Sequence, residues 1–167
     1  MQVKFCGFTQ LADIEAAIQL GVDAVGLVFY PPSPRAVTIA QAQQLTTGVP
    51  AFTSVVALVV NMNKDELMEL ADKVAFDIIQ FHGDESPEQC QQLANSVHKR
   101  WIKALRINSE QDTLARVQAK INDFASAGAS SILLDAYNPQ KYGGTGDQFD
   151  WDLIPTDSAL PIILAGG

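Results

Sequence analysis

Two residues whose side chains could exchange protons with a ligand stand at the ends of apolar runs. Cys6 ends the run at residues 3–6, and Asp135 directly follows the run at 132–134. A carboxylic acid at the partly desolvated end of a buried strand is suited to donate a proton, and a thiolate can accept one. We therefore predict an acid–base pair. The alternatives are that Cys6 is a small buried hydrophobe and that Asp135 only caps its loop.

Further candidates for ligand binding follow other apolar runs. Arg35 ends the proline-rich segment 30–35, where fixed backbone angles leave the arginine little entropy to lose when it binds a carboxylate. The alternative is an ordinary surface arginine. His82 follows the run at 78–81 and could donate a hydrogen bond to a ligand. Gly166 and Gly167 follow the last run, where backbone amides commonly begin a phosphate site.

Other conspicuous residues are assigned no catalytic role. A metal site is not expected, because His82 has no second His, Cys or carboxylate at zinc-ligand spacing. The glycine cluster at 143–146 could bind an anion or form a mobile lid. Core or packing positions are expected for Cys90, Trp101 and Trp151, and an exposed helix end is expected for His98.

The rest of the sequence is a repeat of strand and helix signals. Seven apolar runs recur about every 20 to 30 residues, the length of a βα unit, at 3–6, 24–29, 55–60, 78–81, 101–107, 132–134 and 162–164. Between them lie apolar stripes with helical spacing, two of which begin at Leu11 and Leu114. Capping boxes predict helix starts, and glycines predict helix ends. The capping boxes are Thr38 with Gln41, Asn63 with Glu66, and Ser86 with Gln89; the glycines are Gly21, Gly48 and Gly128.

Strict alternation of strands and helices predicts a parallel sheet. An open doubly wound sheet and a closed barrel are both compatible with this, but neither nucleotide-binding glycine signature follows the first run. Even spacing without a break at the middle favours an α/β fold of the (β/α)8 TIM-barrel type. Because we count seven strands, we expect one barrel domain over residues 1–167 that is truncated and lacks its eighth βα unit.

Composition excludes several classes of function. The chain has 167 residues and a formal net charge of −8, which argues against nucleic acid as a partner. The sequence has no apolar run long enough to span a membrane and no secretory signal, and its two cysteines are too few for a disulfide framework. We therefore expect a cytoplasmic protein whose partner is a small molecule.

Five motifs together resemble the phosphoribosylanthranilate isomerases of tryptophan biosynthesis. They are residues 3–9 (VKFCGFT), 21–35 (GVDAVGLVFYPPSPR), 80–85 (QFHGDE), 143–146 (GGTG) and 164–167 (LAGG). The match runs in order along the whole chain. It departs from the family pattern at Phe5 and Phe8, where isoleucine is usual. It also lacks the eighth strand of the family, the glycine-containing loop after that strand and the last helices.

The resemblance implies an Amadori rearrangement of N-(5-phosphoribosyl)anthranilate, without a metal or an organic cofactor, by a monomer or homodimer. It implies that Cys6 is the general base and Asp135 the general acid. The acid must start protonated and the base deprotonated. Arg35 would bind the anthranilate carboxylate, and the amides of Gly166 and Gly167 would bind part of the phosphate.

Two other functions remain open. One is another phosphate-binding barrel enzyme of the same pathway, such as an indoleglycerol-phosphate synthase. That enzyme needs a catalytic lysine and several glutamates at the mouth, whereas Lys4 and Lys103 are expected too low on their strands. The other is a catalytically impaired fragment that assembles through the open edges of its sheet.

Overall fold

The computed structural model describes residues 1–108, 111–136 and 151–165. Strands and helices alternate along these residues up to the sixth strand, and a single turn of 3-10 helix, Trp151–Leu153, precedes the seventh. The strands are β1 (Lys4–Cys6), β2 (Ala24–Phe29), β3 (Ser54–Val59), β4 (Ile78–Phe81), β5 (Arg100–Ile107), β6 (Ser131–Ala136) and β7 (Ile162–Leu164). The helices are α1 (Leu11–Gln19), α2 (Ile39–Thr46), α3 (Lys64–Lys73), α4 (Pro87–Ser96) and α5 (Leu114–Ser126).

The seven strands form one sheet in which every strand is parallel to its neighbour and the spatial order is the order of the chain. A doubly wound sheet would reverse its strand order at a switch point, and this one does not. Consecutive parallel pairing is the arrangement of a (β/α) barrel wall. The predicted α/β fold of the TIM-barrel type is therefore confirmed.

Local signals predicted the elements to within one or two residues. All seven strands are present, with the largest shift at the sixth, which extends beyond 132–134 to Ser131–Ala136. Each of the three predicted capping boxes is formed. In each box the side chain of the cap residue accepts a hydrogen bond from the backbone N–H three residues later, and the side chain of that later residue accepts one from the backbone N–H of the cap residue. Gly21 and Gly128 follow the ends of α1 and α5 with positive φ angles of 79° and 95°, which glycine adopts without a steric penalty.

The core lies between the sheet and the inward faces of the helices, with Ile14, Leu67, Cys90 and Ile121 fully buried. Three expectations about apolar residues were wrong. Leu11 and Leu114 are 43% and 46% exposed, because each is the first residue of its helix and precedes the part that contacts the sheet. Trp151 is 69% exposed; it begins the 3-10 turn, and Leu153 at the end of that turn is the residue that is buried.

Among the helices of the described residues, none combines the length and the apolar character needed to cross a bilayer.

Candidate active site

A cavity of about 190 Å³ opens at the carboxyl ends of the strands. In a parallel barrel wall these ends meet at one rim, so residues far apart in the sequence converge there. Six of the seven strands or the loops that follow them line the cavity, with Lys4, Cys6, Val28, Tyr30, Ser33, Arg35, Leu58, Val60, Gln80, His82, Leu133, Asp135 and Ala165. Four of the residues predicted from the sequence are therefore brought together: Cys6, Arg35, His82 and Asp135.

Cys6 is positioned by the pairing of β1 with β2. Its register partner is Gly26, and a Cβ built on Gly26 would lie 2.6 Å from the Cys6 Sγ and 3.2 Å from its Cα. Glycine is therefore the residue that leaves room for the thiol at this position. Because side chains alternate along a strand, Lys4 shares the inner face with Cys6, and both line the cavity.

Asp135 is buried near the end of β6 and contacts His82, which follows β4. The distance from His82 Nε2 to Asp135 Oδ2 is 3.3 Å, and both side chains are almost completely shielded from solvent. On its other side the imidazole contacts Gln80, with 3.0 Å between Gln80 Nε2 and His82 Nδ1. Gln80, His82 and Asp135 thus form a continuous polar chain at the cavity wall.

Arg35 lies across the top of β1. Its Nη1 donates to the backbone carbonyl of Cys6 at 3.1 Å, and the rest of the side chain passes over Gly7. A Cβ on Gly7 would lie 2.6 Å from Arg35 Cδ, and Gly7 also has a φ of +94°. The turn that carries the arginine is held by Ser33, whose Oγ accepts from the Arg35 backbone N–H. The guanidinium is thus fixed beside Cys6 while it stays exposed to a ligand.

The loop after His82 is fixed by a buried ion pair. Lys103 Nζ donates to Glu85 Oε2 at 2.7 Å and to the Gly83 carbonyl at 2.8 Å, and each of the two charged side chains is only 4% exposed. Glu85 also accepts from the backbone amides of Gly83 and Asn61. Lys103 therefore stabilises the loop after His82 and is not one of the residues that line the cavity.

A larger, open groove of about 930 Å³ runs between α3 and α4. Amides, a serine and apolar side chains make up most of its lining, and its ionisable groups are Lys64, Asp84 and Glu85. Glu85 is already engaged by Lys103. The smaller cavity is the candidate active site, because a thiol, a carboxyl group, an imidazole and a guanidinium converge there.

Two residues that position the site were missed from the sequence. Gly26 is one of eleven glycines, and only the register of β1 against β2 identifies its role. Gln80 did carry a signal, because it is a polar residue two positions before His82 inside an otherwise apolar strand. The predicted phosphate-binding residues Gly166 and Gly167, and the glycine cluster at 143–146, lie outside the described residues.

Comparison with known proteins shows the family of this chain. Residues 3–167 match the family model of N-(5'-phosphoribosyl)anthranilate (PRA) isomerase. The chain belongs to this family. It is 49% identical over 166 residues to the N-(5'-phosphoribosyl)anthranilate isomerase of Acinetobacter calcoaceticus, covering 99% of this chain and 76% of the relative. It is 46% identical over 164 residues to the isomerase of Pseudomonas syringae pv. tomato, covering 98% of this chain and 75% of that relative.

Solved structures of family members have the same architecture. The phosphoribosyl anthranilate isomerase of Thermotoga maritima superimposes with a TM-score of 0.80 at 30% identity, over 100% of this chain and 77% of that one. A second structure of a phosphoribosyl anthranilate isomerase contains reduced 1-(o-carboxyphenylamino)-1-deoxyribulose 5-phosphate. It superimposes with a TM-score of 0.70 at 31% identity, over 83% of this chain and 66% of that one.

Proposed function

We propose that this chain catalyses the Amadori rearrangement of N-(5-phosphoribosyl)anthranilate to 1-(2-carboxyphenylamino)-1-deoxyribulose 5-phosphate. Membership of the isomerase family supports the reaction. The observation that carries the assignment of residues is that Cys6 on β1 and Asp135 on β6 line one cavity, beside a guanidinium. Such a cavity offers two proton-transferring groups to adjacent atoms of one small molecule.

Asp135 is the general acid of the proposed reaction. It donates its proton to the ring oxygen of the ribose as the bond from that oxygen to the anomeric carbon breaks, and the nitrogen lone pair forms a protonated Schiff base. Cys6 is the general base. Its thiolate removes the proton from the neighbouring ribose carbon, and the electron pair moves to give an enolamine. The enolamine then tautomerises to the ketone, so substrate and product are isomers and no redox partner is needed.

The remaining residues orient the substrate. Arg35 binds the anthranilate carboxylate, because its exposed guanidinium is held next to Cys6 and has the planar geometry that matches a carboxylate. His82 contacts the substrate beside Asp135 at the cavity wall. On the family resemblance, the backbone amides of Gly166 and Gly167 bind part of the phosphate.

We further propose that the substrate is a phosphorylated small molecule and that the reaction needs no metal or organic cofactor. The chain would form a single (β/α) barrel domain and act in the cytoplasm. A monomer and a homodimer are both compatible with it; one solved relative, from Thermotoga maritima, is described as a dimeric enzyme from which monomers were generated. An indoleglycerol-phosphate synthase activity is not favoured. Lys103 is paired with Glu85 behind the wall. Lys4, contrary to expectation, does line the cavity, but the several glutamates that such an enzyme needs are absent from the lining among the described residues.

The loss of anthranilate fluorescence as phosphoribosylanthranilate is consumed tests the proposal. The rate of the unsubstituted chain is the reference for the variants. Cys6→Ser and Asp135→Asn should each lower kcat by roughly 10²-fold or more with KM nearly unchanged, because each removes a group needed only for proton transfer. His98→Asn is the matched control, since His98 is exposed after the end of α4 and is not among the residues that line the cavity. Full activity in both site variants would disprove the acid–base assignment.

A further inference from the structure

Gln80 is a buried amide in an apolar strand. Its neighbours along β4 are Ile79 and Phe81, and the residue itself is 1% exposed. Because side chains alternate, Gln80 and His82 face the same side of the sheet, and both line the candidate active site. Of the polar groups on Gln80, Nε2 contacts His82 Nδ1 at 3.0 Å, while Oε1 has no hydrogen-bond partner among the residues that the structure describes.

Stability alone does not explain this amide. Burying an amide costs free energy unless its polar atoms are hydrogen-bonded, and an apolar side chain of the same length would avoid that cost. The one polar contact that Gln80 makes in the described structure is with His82. Its chemical role therefore has to be sought in what the contact does to the imidazole.

A neutral imidazole has one N–H and one lone pair, so the role of one nitrogen fixes the role of the other. In the arrangement that the structure has, Gln80 Nε2–H donates to Nδ1 of His82. The ring proton must then lie on Nε2, which donates to Oδ2 of Asp135. The opposite amide orientation would reverse both hydrogen bonds and leave a buried N–H unpartnered, which is rarer in proteins than an under-satisfied carbonyl oxygen.

The two arrangements place the proton of Asp135 on different oxygens. If His82 donates to Oδ2, the proton of a protonated Asp135 is favoured on Oδ1, because the carbonyl oxygen of a carboxylic acid accepts a hydrogen bond more strongly than its hydroxyl oxygen. If His82 accepts instead, the proton of Asp135 lies on Oδ2 and points at the imidazole. A proton directed at His82 cannot be donated to a sugar. Only the first arrangement leaves Asp135 ready to act as an acid toward the substrate.

We propose that Gln80 is a positioning residue that holds His82 in the Nε2–H tautomer and thereby places the proton of Asp135 on Oδ1. Gln80 acts through His82 and does not touch the reacting atoms. The link to rate rests on the function proposed above, in which Asp135 is the general acid. The tautomer itself does not depend on that function and can be measured separately.

The chain has two histidines, so the tautomer can be read directly. Long-range ¹H–¹⁵N correlation spectra of the full chain, labelled at histidine and recorded at about pH 8, where histidine is ordinarily neutral, show which ring nitrogens carry protons. His98→Asn assigns the second ring, and the His98 signals serve as the internal reference. We expect Nε2 of His82 to be protonated and Nδ1 to be unprotonated. A proton on Nδ1 in the unsubstituted protein would overturn the proposal.

Two substitutions test the cause. Gln80→Glu offers a carboxylate, which accepts and does not donate, so the proton should move to Nδ1 of His82. Gln80→Met keeps the length of the side chain and removes both polar groups, so both tautomers should be populated. His98 should be unchanged in each variant. An Nε2–H tautomer that persists in both variants would show that Gln80 does not control it.

Kinetics then test the consequence for catalysis. Both variants should lower kcat roughly 10-fold or more with KM nearly unchanged, the effect expected when the partner of a functional side chain is lost. Wild-type kcat together with a changed tautomer would refute the role of Gln80 in placing the proton. If the unsubstituted chain gave no turnover at all, the proposed function would fail, while the spectra would still decide whether Gln80 sets the tautomer.

Discussion

The Cys6 sulfur lies in space that only a glycine at position 26 leaves open. Cys6 and Gly26 are register partners on β1 and β2, and a Cβ on Gly26 would approach the thiol to 2.6 Å. The same Cβ would lie 3.1 Å from Cys6 Cβ and 3.2 Å from Cys6 Cα, so rotation of the thiol alone would not relieve the contact. The position of the proposed base is thus determined by a residue that does no chemistry.

Gly26→Ala should therefore slow the enzyme without unfolding it. We expect kcat to fall roughly 10-fold to 10²-fold, because a displacement of about 1 Å in a catalytic group has an effect of that size. Circular dichroism should show an unchanged secondary structure. Gly48→Ala is the matched control, since a Cβ on Gly48 has no atom within 4 Å. Equal activity of the two variants would show that the thiol is not held by this contact.

Arg35→Lys should weaken substrate binding more than it slows the reaction. The lysine keeps the charge but loses the planar pair of donors that suits a carboxylate and the contact from Nη1 to the Cys6 carbonyl. A charge-assisted hydrogen bond is worth about 1.5–3 kcal/mol, so we expect KM to rise roughly 10-fold to 10²-fold. Arg116→Lys on α5, which is not among the residues that line the cavity, should leave KM unchanged. An unchanged KM in Arg35→Lys would remove this arginine from the binding site.

The fold was predictable because its signals are local. The capping boxes that begin at Thr38, Asn63 and Ser86 each involve residues three positions apart, and the apolar runs mark buried strands whatever lies beside them. Even spacing of these units was then enough to favour a barrel over a doubly wound sheet. The exposure of the first residue of a helix, such as Leu11, depends on where that helix first contacts the sheet. The helical spacing of apolar residues in the sequence does not predict this point of contact.

The site was predictable only in part because its contacts are between distant residues. The contact of His82 with Asp135 joins positions 53 residues apart. The apolar run before Asp135 and the family resemblance both pointed to that residue, but neither revealed the contact. The roles of Gly26 and Gln80 follow from strand register and side-chain direction, which appear only once the sheet is assembled. Sequence reasoning therefore identified the candidate groups that the structure brings to one cavity, and it missed the residues that position them.

Lys103→Met should destabilise the fold and loosen the loop after His82. The substitution leaves the Glu85 carboxylate buried without its cation, for which a loss of about 3–5 kcal/mol in the free energy of unfolding is typical. Urea denaturation measures this loss in the free energy of unfolding. Adding Glu85→Gln should recover part of the loss, because the uncompensated charge is then gone.

Lys73→Met is the control. Its ion pair with Glu69 is on the surface, with side chains 48% and 55% exposed, so the urea midpoint should hardly change. Equal midpoints for the two single variants would contradict the prediction.

The buried thiol of Cys90 should make stability depend on pH in alkaline solution. Burial raises the pKa of Cys90 to about 12 from an ordinary value of 9.0. Above pH 9 the thiol therefore ionises in the unfolded chain and stays neutral in the folded one. The unfolded state then binds fewer protons, so the free energy of unfolding falls as pH rises, by at most about 1.4 kcal/mol per pH unit, until the folded thiol also ionises. This slope is about half of its maximum at pH 9, the ordinary pKa of the thiol, and becomes small about one pH unit lower. Cys90→Ala lowers stability at all pH values by removing buried volume, but it should abolish this part of the slope.

Urea midpoints of both proteins between about pH 8 and pH 11 measure the difference, in which the titration of all other groups cancels. Parallel curves for the two proteins would show that the Cys90 thiol is not protected from ionisation in the fold.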